Sequence, residues 1–326
     1  MKIVIPDDYP PVISGTRQLE RLKELGEVEI YTSRHHSEEE LLRRIKDADI
    51  VVNIRAYCKF PANVLAAAEK LKMISVWGTG SDNVDLDAAR ELGIPVTTTP
   101  GTATESVAEH ALALMLAVAR KIPKIDRQVK ECRWMRGLAT QLYSKTLGVI
   151  GTGLIGSHLA RLAKGIGMNV IAWTFHPSDE KARDIGFKYV PLEQLLRESD
   201  VVSIHLRLSD QTVGFIGKRE IALMKPSAFL INTARGKIVD GEALIEALRE
   251  GMIAGAGLDV FQKEPLDSDD PILSFDNTVL TPHSAGQTPE VLDKGLSIAV
   301  ENIANFLSGR LTNLVNAPLR PRWMKT

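Results

Sequence analysis

Residues Lys145 to Thr174 read KTLGVIGTGLIGSHLARLAKGIGMNVIAWT. An apolar run, Leu147 to Ile150, leads into Gly151-Thr-Gly153-Leu-Ile-Gly156, then into a helical pattern with Leu159, Leu162, Ala163 and Ile166 on one face. A second apolar run, NVIAWT, closes the stretch. Strand, G-x-G-x-x-G, helix, strand is the order of a dinucleotide-binding βαβ unit. Gly151 allows the tight turn, Gly153 lets the backbone approach a pyrophosphate, and Gly156 lets the helix pack close on the strand. The start of the helix offers free N–H groups and the positive end of its dipole to the phosphates.

Working outward, short β-branched runs alternate with amphipathic helical patterns along the whole chain, which predicts parallel sheets with crossover helices. Before the glycine stretch, strands are expected at 2–6, 28–32, 49–54, 73–76 and 95–98, with helices near 15–25, 38–46, 61–70 and 85–92. A nearly all-apolar helix, Glu105 to Arg120, follows; it is expected to be buried and to link two domains. After the glycine stretch, strands fall at 187–190, 201–206, 228–232, 253–258 and 278–281. Pro289 to Leu307 forms one more long helix, expected to return to the first domain. The fold class is therefore α/β, with two doubly wound parallel-sheet domains. A Rossmann cofactor domain, 101–286, is inserted into a flavodoxin-like substrate domain, 1–100 with 287–326.

At 326 residues the chain suits two domains. Its formal net charge of −1 gives no electrostatic case for nucleic acid or an anionic membrane. Two cysteines, Cys58 and Cys132, provide neither a disulfide framework nor metal-ligand spacing, so no metal is expected. With no long apolar span and no signal-like start, a soluble, cytoplasmic protein is expected.

Three later strand ends carry groups suited to carbonyl reduction. Leu230-Ile-Asn-Thr-Ala-Arg235-Gly236 presents an arginine, Gly257-Leu-Asp259-Val-Phe-Gln-Lys-Glu264 a glutamate, and Val279-Leu-Thr-Pro-His283 a histidine. A guanidinium binds a carboxylate at two points and polarises the adjacent carbonyl. A histidine donates a proton to the forming alkoxide, and a carboxylate beside it keeps it protonated and oriented. Singly, each has a plainer explanation, a surface ion pair or a structural histidine. Together, downstream of a nucleotide fingerprint, they make an active site.

These residues resemble the D-isomer-specific 2-hydroxyacid dehydrogenases, which include glycerate, lactate and phosphoglycerate dehydrogenases. The likeness covers essentially the whole chain: Trp77-Gly-Thr-Gly-Ser-Asp-Asn-Val-Asp85, Ser106-Val-Ala-Glu109, the glycine fingerprint, Asn232-Thr-Ala-Arg-Gly236, Gly257-Leu-Asp-Val260, Glu264-Pro265 and Thr281-Pro-His283. The resemblance implies an NAD(P)-dependent oxidoreductase acting on the CH–OH group of a small D-2-hydroxy acid or on the matching 2-keto acid. It implies that Arg235 binds the substrate carboxylate and carbonyl and that His283, paired with Glu264, is the acid/base. The backbone of Gly78, Thr79 and Gly80 would cradle the carboxylate, and Arg55 would either meet the substrate's distal end or form a loop salt bridge. The implied cofactor contacts are Val107, Gly151, Gly153, Leu154, Ile155, Gly156, Thr174, His176, Arg207, Thr233, Ala234, Asp259 and Gly286. For Val107 core packing, and for Asp259 a turn carboxylate, remain alternatives. A homodimer joined through the cofactor domain is also implied, with the apolar helix and the 122–143 segment as its surface.

Two departures concern the cofactor. NAD-preferring members carry Asp or Glu at the end of the second Rossmann strand; here Ala172-Trp-Thr174-Phe-His176 has no acid. Arg207, in His205-Leu-Arg-Leu208, stands where the family usually has proline. NAD and NADP both stay open. A dinucleotide-sensing corepressor is a competing function; a formate or phosphite dehydrogenase is disfavoured because formate dehydrogenases have glutamine where Glu264 stands. Trp77 and the aromatic loop Trp134 to Tyr143 are candidates to enclose an apolar substrate. His35 and His36 are expected to be solvated, and neither they nor His110 and His158 receive a catalytic role.

Overall fold

The computed structural model describes residues 1–54, 58–134, 136–319 and 322. Arg55 lies outside the described residues. The chain divides into two compact units, Met1–Ala103 with Gln287–Thr326, and Thr104–Gly286.

The first unit begins with five strands, β1 (Lys2–Ile5), β2 (Glu27–Ile30), β3 (Ile50–Ile54), β4 (Met73–Trp77) and β5 (Val96–Thr97), alternating with helices α1 (Arg17–Leu25), α2 (Glu38–Ile45), α3 (Ala62–Ala67) and α4 (Leu86–Glu91). Local chemistry sets several of these boundaries. Thr16, Ser37 and Asp85 cap α1, α2 and α4 by accepting the amides of Leu19, Glu40 and Ala88, which are otherwise orphaned. Three glutamates in the first turn of α2 and two arginines in its last complement the helix dipole. The strands pair in parallel in the order β2-β1-β3-β4-β5, the flavodoxin-like arrangement. Such a sheet is covered on both faces, and β3 and β4 are accordingly buried along their full length.

The second unit opens with α5 (Thr104–Ala119) and α6 (Ile122–Lys130). It continues through β6 (Thr146–Ile150), α7 (Leu154–Gly165), β7 (Asn169–Trp173), α8 (Asp179–Ile185), β8 (Lys188–Tyr189), α9 (Leu192–Glu198), β9 (Val201–Ile204), α10 (Lys218–Ala222), β10 (Phe229–Asn232), α11 (Gly241–Arg249), β11 (Gly255–Leu258) and β12 (Thr278–Leu280). Its seven strands are parallel in the order β12-β11-β10-β9-β6-β7-β8. That is the Rossmann order with one strand added beyond β11, and the switch point lies between β6 and β9. One core, with Leu114, Met115 and Leu159, and another, with Leu195, Leu230 and Leu244, fill the two faces.

The chain then forms α12 (Pro289–Leu307), capped by Thr288 accepting from the amide of Val291. Leu296, Val300, Ile303 and Phe306 join Ile3, Ile5 and Ile50 in the core of the first unit. Each such burial contributes roughly 1.5–3 kcal/mol relative to exposure. Trp77 belongs to the same core, 7% exposed. Its indole lies so close to Gly295 that a Cβ there would come within 1.8 Å of Nε1. Trp77 is a packing residue, not a pocket wall. By contrast Trp134, Leu138 and Tyr143 are exposed.

Candidate active site

The glycine fingerprint is shaped by close approach. Gly151 has φ +98°, and a Cβ there would meet the His205 carbonyl oxygen at 2.6 Å. A Cβ on Gly156 would lie 2.0 Å from the Gly151 carbonyl oxygen, so α7 can start this near β6 only with glycine. Nothing stands within 4 Å of where a Cβ on Gly153 would be, and no side chain caps α7. Open space before an uncapped helix start suits a pyrophosphate. Leu154 is exposed and Ile155 half-buried on the first turn of that helix. At the end of β10, Thr233 is 8% exposed and its hydroxyl has no partner among the described residues. An orphaned buried hydroxyl costs stability unless a ligand satisfies it. The residues present therefore fit a dinucleotide.

At the outer end of β7, Thr174 is half-buried and His176 exposed, and no carboxylate occupies the strand end. Trp173 and Phe175 meet edge to face at 4.8 Å, and Phe215 stacks against Trp173 at 5.1 Å. Lys181, which carries no motif signal, donates from Nζ to the Thr152 carbonyl at 3.3 Å, inside the glycine turn. Arg207 is exposed; its carbonyl accepts from the Thr212 hydroxyl at 2.7 Å. Val107 is buried on α5, and Ala234 and Gly286 are half-buried.

Three loops carry the reactive groups. Asn232 ends β10 and closes the first turn, accepting from the Ala234 amide (3.0 Å) and donating to the Arg235 carbonyl (2.9 Å). This presents Arg235, half-buried, just past the strand. Beyond β11, Asp259 is fully buried. Its carboxylate accepts from the Thr281 hydroxyl (2.6 Å) and from the amides of Ser284 and Ala285 (2.9 Å each), while its carbonyl accepts from the His283 amide (2.8 Å). Both carboxylate oxygens thus anchor the β12 loop, the geometry of a turn carboxylate. His110 reinforces it, with Nε2 2.9 Å from the Thr281 hydroxyl. The anchoring matters because His283 has φ +53°, the left-handed region that costs a non-glycine residue on the order of 1–3 kcal/mol.

That strained backbone brings His283 Nδ1 to 2.7 Å from Glu264 Oε2, while Glu264 Oε1 accepts from the Phe261 amide at 2.9 Å. Burial alone would raise the Glu264 carboxyl pKa. The hydrogen bond and charge of His283, the Phe261 amide and the charge of Arg235 outweigh it and hold the group below its ordinary value. Glu264 is ionised at neutral pH and can only accept, so Nδ1 carries a proton toward it.

His205, at the end of β9, is a site neighbour the sequence did not signal. Its Nε2 lies 2.8 Å from the Ser203 hydroxyl, and burial pushes it down to about 4. Its neutral form contributes stability in full above about pH 6.5, the value it returns to on unfolding, and that contribution is lost as pH falls toward 4. His205→Gln is expected to flatten the acid limb of Tm against pH; an unchanged limb would show that other groups set it.

In the first unit, Gly78, Thr79 and Gly80 directly follow β4. Gly78 is locked to Thr99, donating to its hydroxyl and accepting from its amide, each at 2.9 Å. Thr79 is exposed at the tip.

A doubly wound sheet with an open, uncapped glycine turn and a carboxylate-held histidine defines a nicotinamide-dinucleotide oxidoreductase. The sequence profile for the D-isomer specific 2-hydroxyacid dehydrogenase NAD binding domain matches residues 112–285. The chain is 40% identical over 308 residues to a glyoxylate reductase of Korarchaeum cryptofilum, covering 92% of each. It is 45% identical over 296 residues to a D-3-phosphoglycerate dehydrogenase of Archaeoglobus fulgidus, covering 90% of this chain but 55% of that protein. A D-lactate dehydrogenase of Aquifex aeolicus, crystallised with NAD and lactic acid, superposes with a TM-score of 0.85 at 32% identity over 98% of this chain and 100% of that one. The chain belongs to the D-isomer-specific 2-hydroxyacid dehydrogenase family, oxidoreductases that act on CH–OH groups.

Proposed function

We propose that the protein reduces a small 2-keto acid of the glyoxylate type to its D-2-hydroxy acid, with His283 as the acid/base, Glu264 as its orienting partner and Arg235 as the carboxylate-binding group. The observation that carries this reading is the 2.7 Å contact between His283 and an ionised Glu264, at a strand end near enough to Arg235 for its charge to act on the glutamate.

Thr104–Gly286 is the cofactor domain and the other unit the substrate domain. When bound, the nicotinamide supplies hydride to the keto carbon, or takes it back in the oxidation. The chain's own work is positional. Arg235 pairs two-point with the substrate carboxylate and polarises the adjacent carbonyl. With Nδ1 engaged by Glu264, Nε2 of His283 gives its proton to the carbonyl oxygen as the alkoxide forms. The backbone at Gly78–Gly80 cradles the carboxylate.

A glyoxylate reductase at 40% identity supports glyoxylate as the first acid to test, and a D-3-phosphoglycerate dehydrogenase at 45% supports a phosphorylated acid as the second. At the adenosine end, the lack of a carboxylate at Thr174 and the presence of Lys181 at the glycine turn support tolerance of a 2′-phosphate, and with it the use of both NADH and NADPH. Turnover of glyoxylate, hydroxypyruvate, pyruvate and phenylpyruvate with each cofactor tests the reading: glyoxylate should show the highest kcat/KM, with the two cofactors within about tenfold, a difference of ~1.4 kcal/mol. Failure on all four acids would overturn it, and a strong NADH preference would reject the shared-cofactor part. Exposed Ile122, Val129, Trp134 and Leu138 support a homodimer through this unit; a monomer in sedimentation would contradict that.

A further inference from the structure

Among the described residues, one cluster of chemically active groups stands outside the site just described. Asp7, His35 and Cys58 follow β1, β2 and β3, so three separate strand ends of the first sheet deliver them to one place. This corrects the expectation that His35 is solvated: its side chain is 15% exposed and faces Asp7 and Cys58.

The geometry is not that of a hydrogen-bonded relay. A relay would use both ring nitrogens of the histidine, one toward each neighbour. Here Nδ1 alone faces both, 3.5 Å from Asp7 Oδ2 and 3.9 Å from Cys58 Sγ. The Cys58 contact is a long hydrogen bond to sulfur, so both neighbours converge on one nitrogen instead of extending a chain through the ring. All three donor atoms lie within 4.8 Å of one another. Around a tetrahedral ion with bonds of about 2.0–2.3 Å, donors stand roughly 3.3–3.6 Å apart, so modest contraction closes the set on a common centre.

A second observation points to a ligand. Asp7 is 2% exposed, its Oδ1 accepts from the Tyr9 amide, and its Oδ2 has no hydrogen-bond partner among the described residues. A buried carboxylate oxygen without a donor is costly unless a cation satisfies it. The surroundings also hold the donors in place. Arg44, 7% exposed, donates to the carbonyls of Pro6 (2.7 Å), Ser33 (2.5 Å) and Arg34 (3.1 Å), tying together the segments that carry Asp7 and His35. Its charge is met by Glu40 at 2.6 Å.

We infer that Asp7, His35 and Cys58 form a binding site for a divalent transition metal of the zinc class, with the fourth position open to water on the partly exposed histidine side. The S, N, O donor set selects zinc or cobalt over calcium and magnesium, which take oxygen donors. Binding forms a metal–sulfur bond and releases the thiol proton to solvent. The carboxylate and thiolate then neutralise the ion, and the Arg44–Glu40 pair adds no net charge. The ion clips three strand ends of the first unit together. The inference does not depend on the proposed reaction.

The test uses the full chain, stripped with a chelator and titrated with cobalt(II). The expected result is one equivalent bound with a thiolate-to-cobalt charge-transfer band, retained in Cys132→Ser and lost in Cys58→Ser. With zinc a hundredfold above its dissociation constant, Tm should rise by about 5–10 °C in the wild type and by far less in Asp7→Asn or His35→Gln. These two variants keep the proposal testable should Cys58→Ser fold poorly. Absence of the band in the wild type, its persistence without Cys58, or an equal zinc-induced rise in all variants would overturn the proposal.

Discussion

His283→Ala is expected to lower kcat by about 10²–10⁴-fold, the span that general acid–base catalysis commonly supplies. The dissociation constant for NADH should change little, because the glycine turn, the start of α7 and Thr233 are built by other strands of the sheet. Stopped-flow turnover together with cofactor fluorescence titration checks both halves. Alanine keeps the Cβ, so the left-handed backbone at this position carries the same cost in the variant as in the wild type. A large loss of kcat in a variant that still binds NADH therefore reports on chemistry, not on folding. Glu264→Gln should give a smaller loss, since Nδ1 then meets a neutral partner and the ring is oriented less firmly. Full turnover in His283→Ala would remove the histidine from the reaction.

Arg235 should produce the second large effect, expressed in substrate rather than cofactor. Truncating one partner of a desolvated charge pair commonly costs 2–5 kcal/mol, so Arg235→Ala should lower kcat/KM by roughly 30–5,000-fold. Arg235→Lys separates charge from shape. Lysine keeps the positive charge that helps hold Glu264 ionised, but it lacks the planar fork that meets a carboxylate at two points. An intermediate loss with lysine, most of it in KM, is the expected pattern. Equal activity of the lysine variant would mean that Arg235 acts as a charge alone; unchanged kcat/KM in Arg235→Ala would rule out carboxylate binding there.

Much of this was legible in the chain because its signals are local. Gly151, Gly153 and Gly156 sit within six residues, and alternation of β-branched runs with helical patterns places every strand of both sheets to within a few residues. Arg235, Glu264 and His283 stood out because each follows a strand, and parallel topology gathers strand ends at one edge. What was not legible depends on residues distant in sequence. Asp259 looked like a cofactor contact or a turn carboxylate; only the structure shows three donors from 281–285 converging on it. Trp77 beside the glycine loop suggested a pocket wall, and it is Gly295, more than two hundred residues later, that makes room for the indole in the core. Lys181 reaches the glycine turn from a different helix. Asp7, His35 and Cys58 have no ligand spacing at all, since their proximity is created by strand order β2-β1-β3.

Chemical rescue tests the central claim, that the His283 imidazole itself moves the proton, most directly. His283→Ala is assayed with glyoxylate and NADH at rising concentrations of free imidazole. Saturable recovery of kcat by imidazole, absent from Arg235→Ala under the same conditions, is the result the account requires. No recovery in a folded variant that still binds NADH would contradict it.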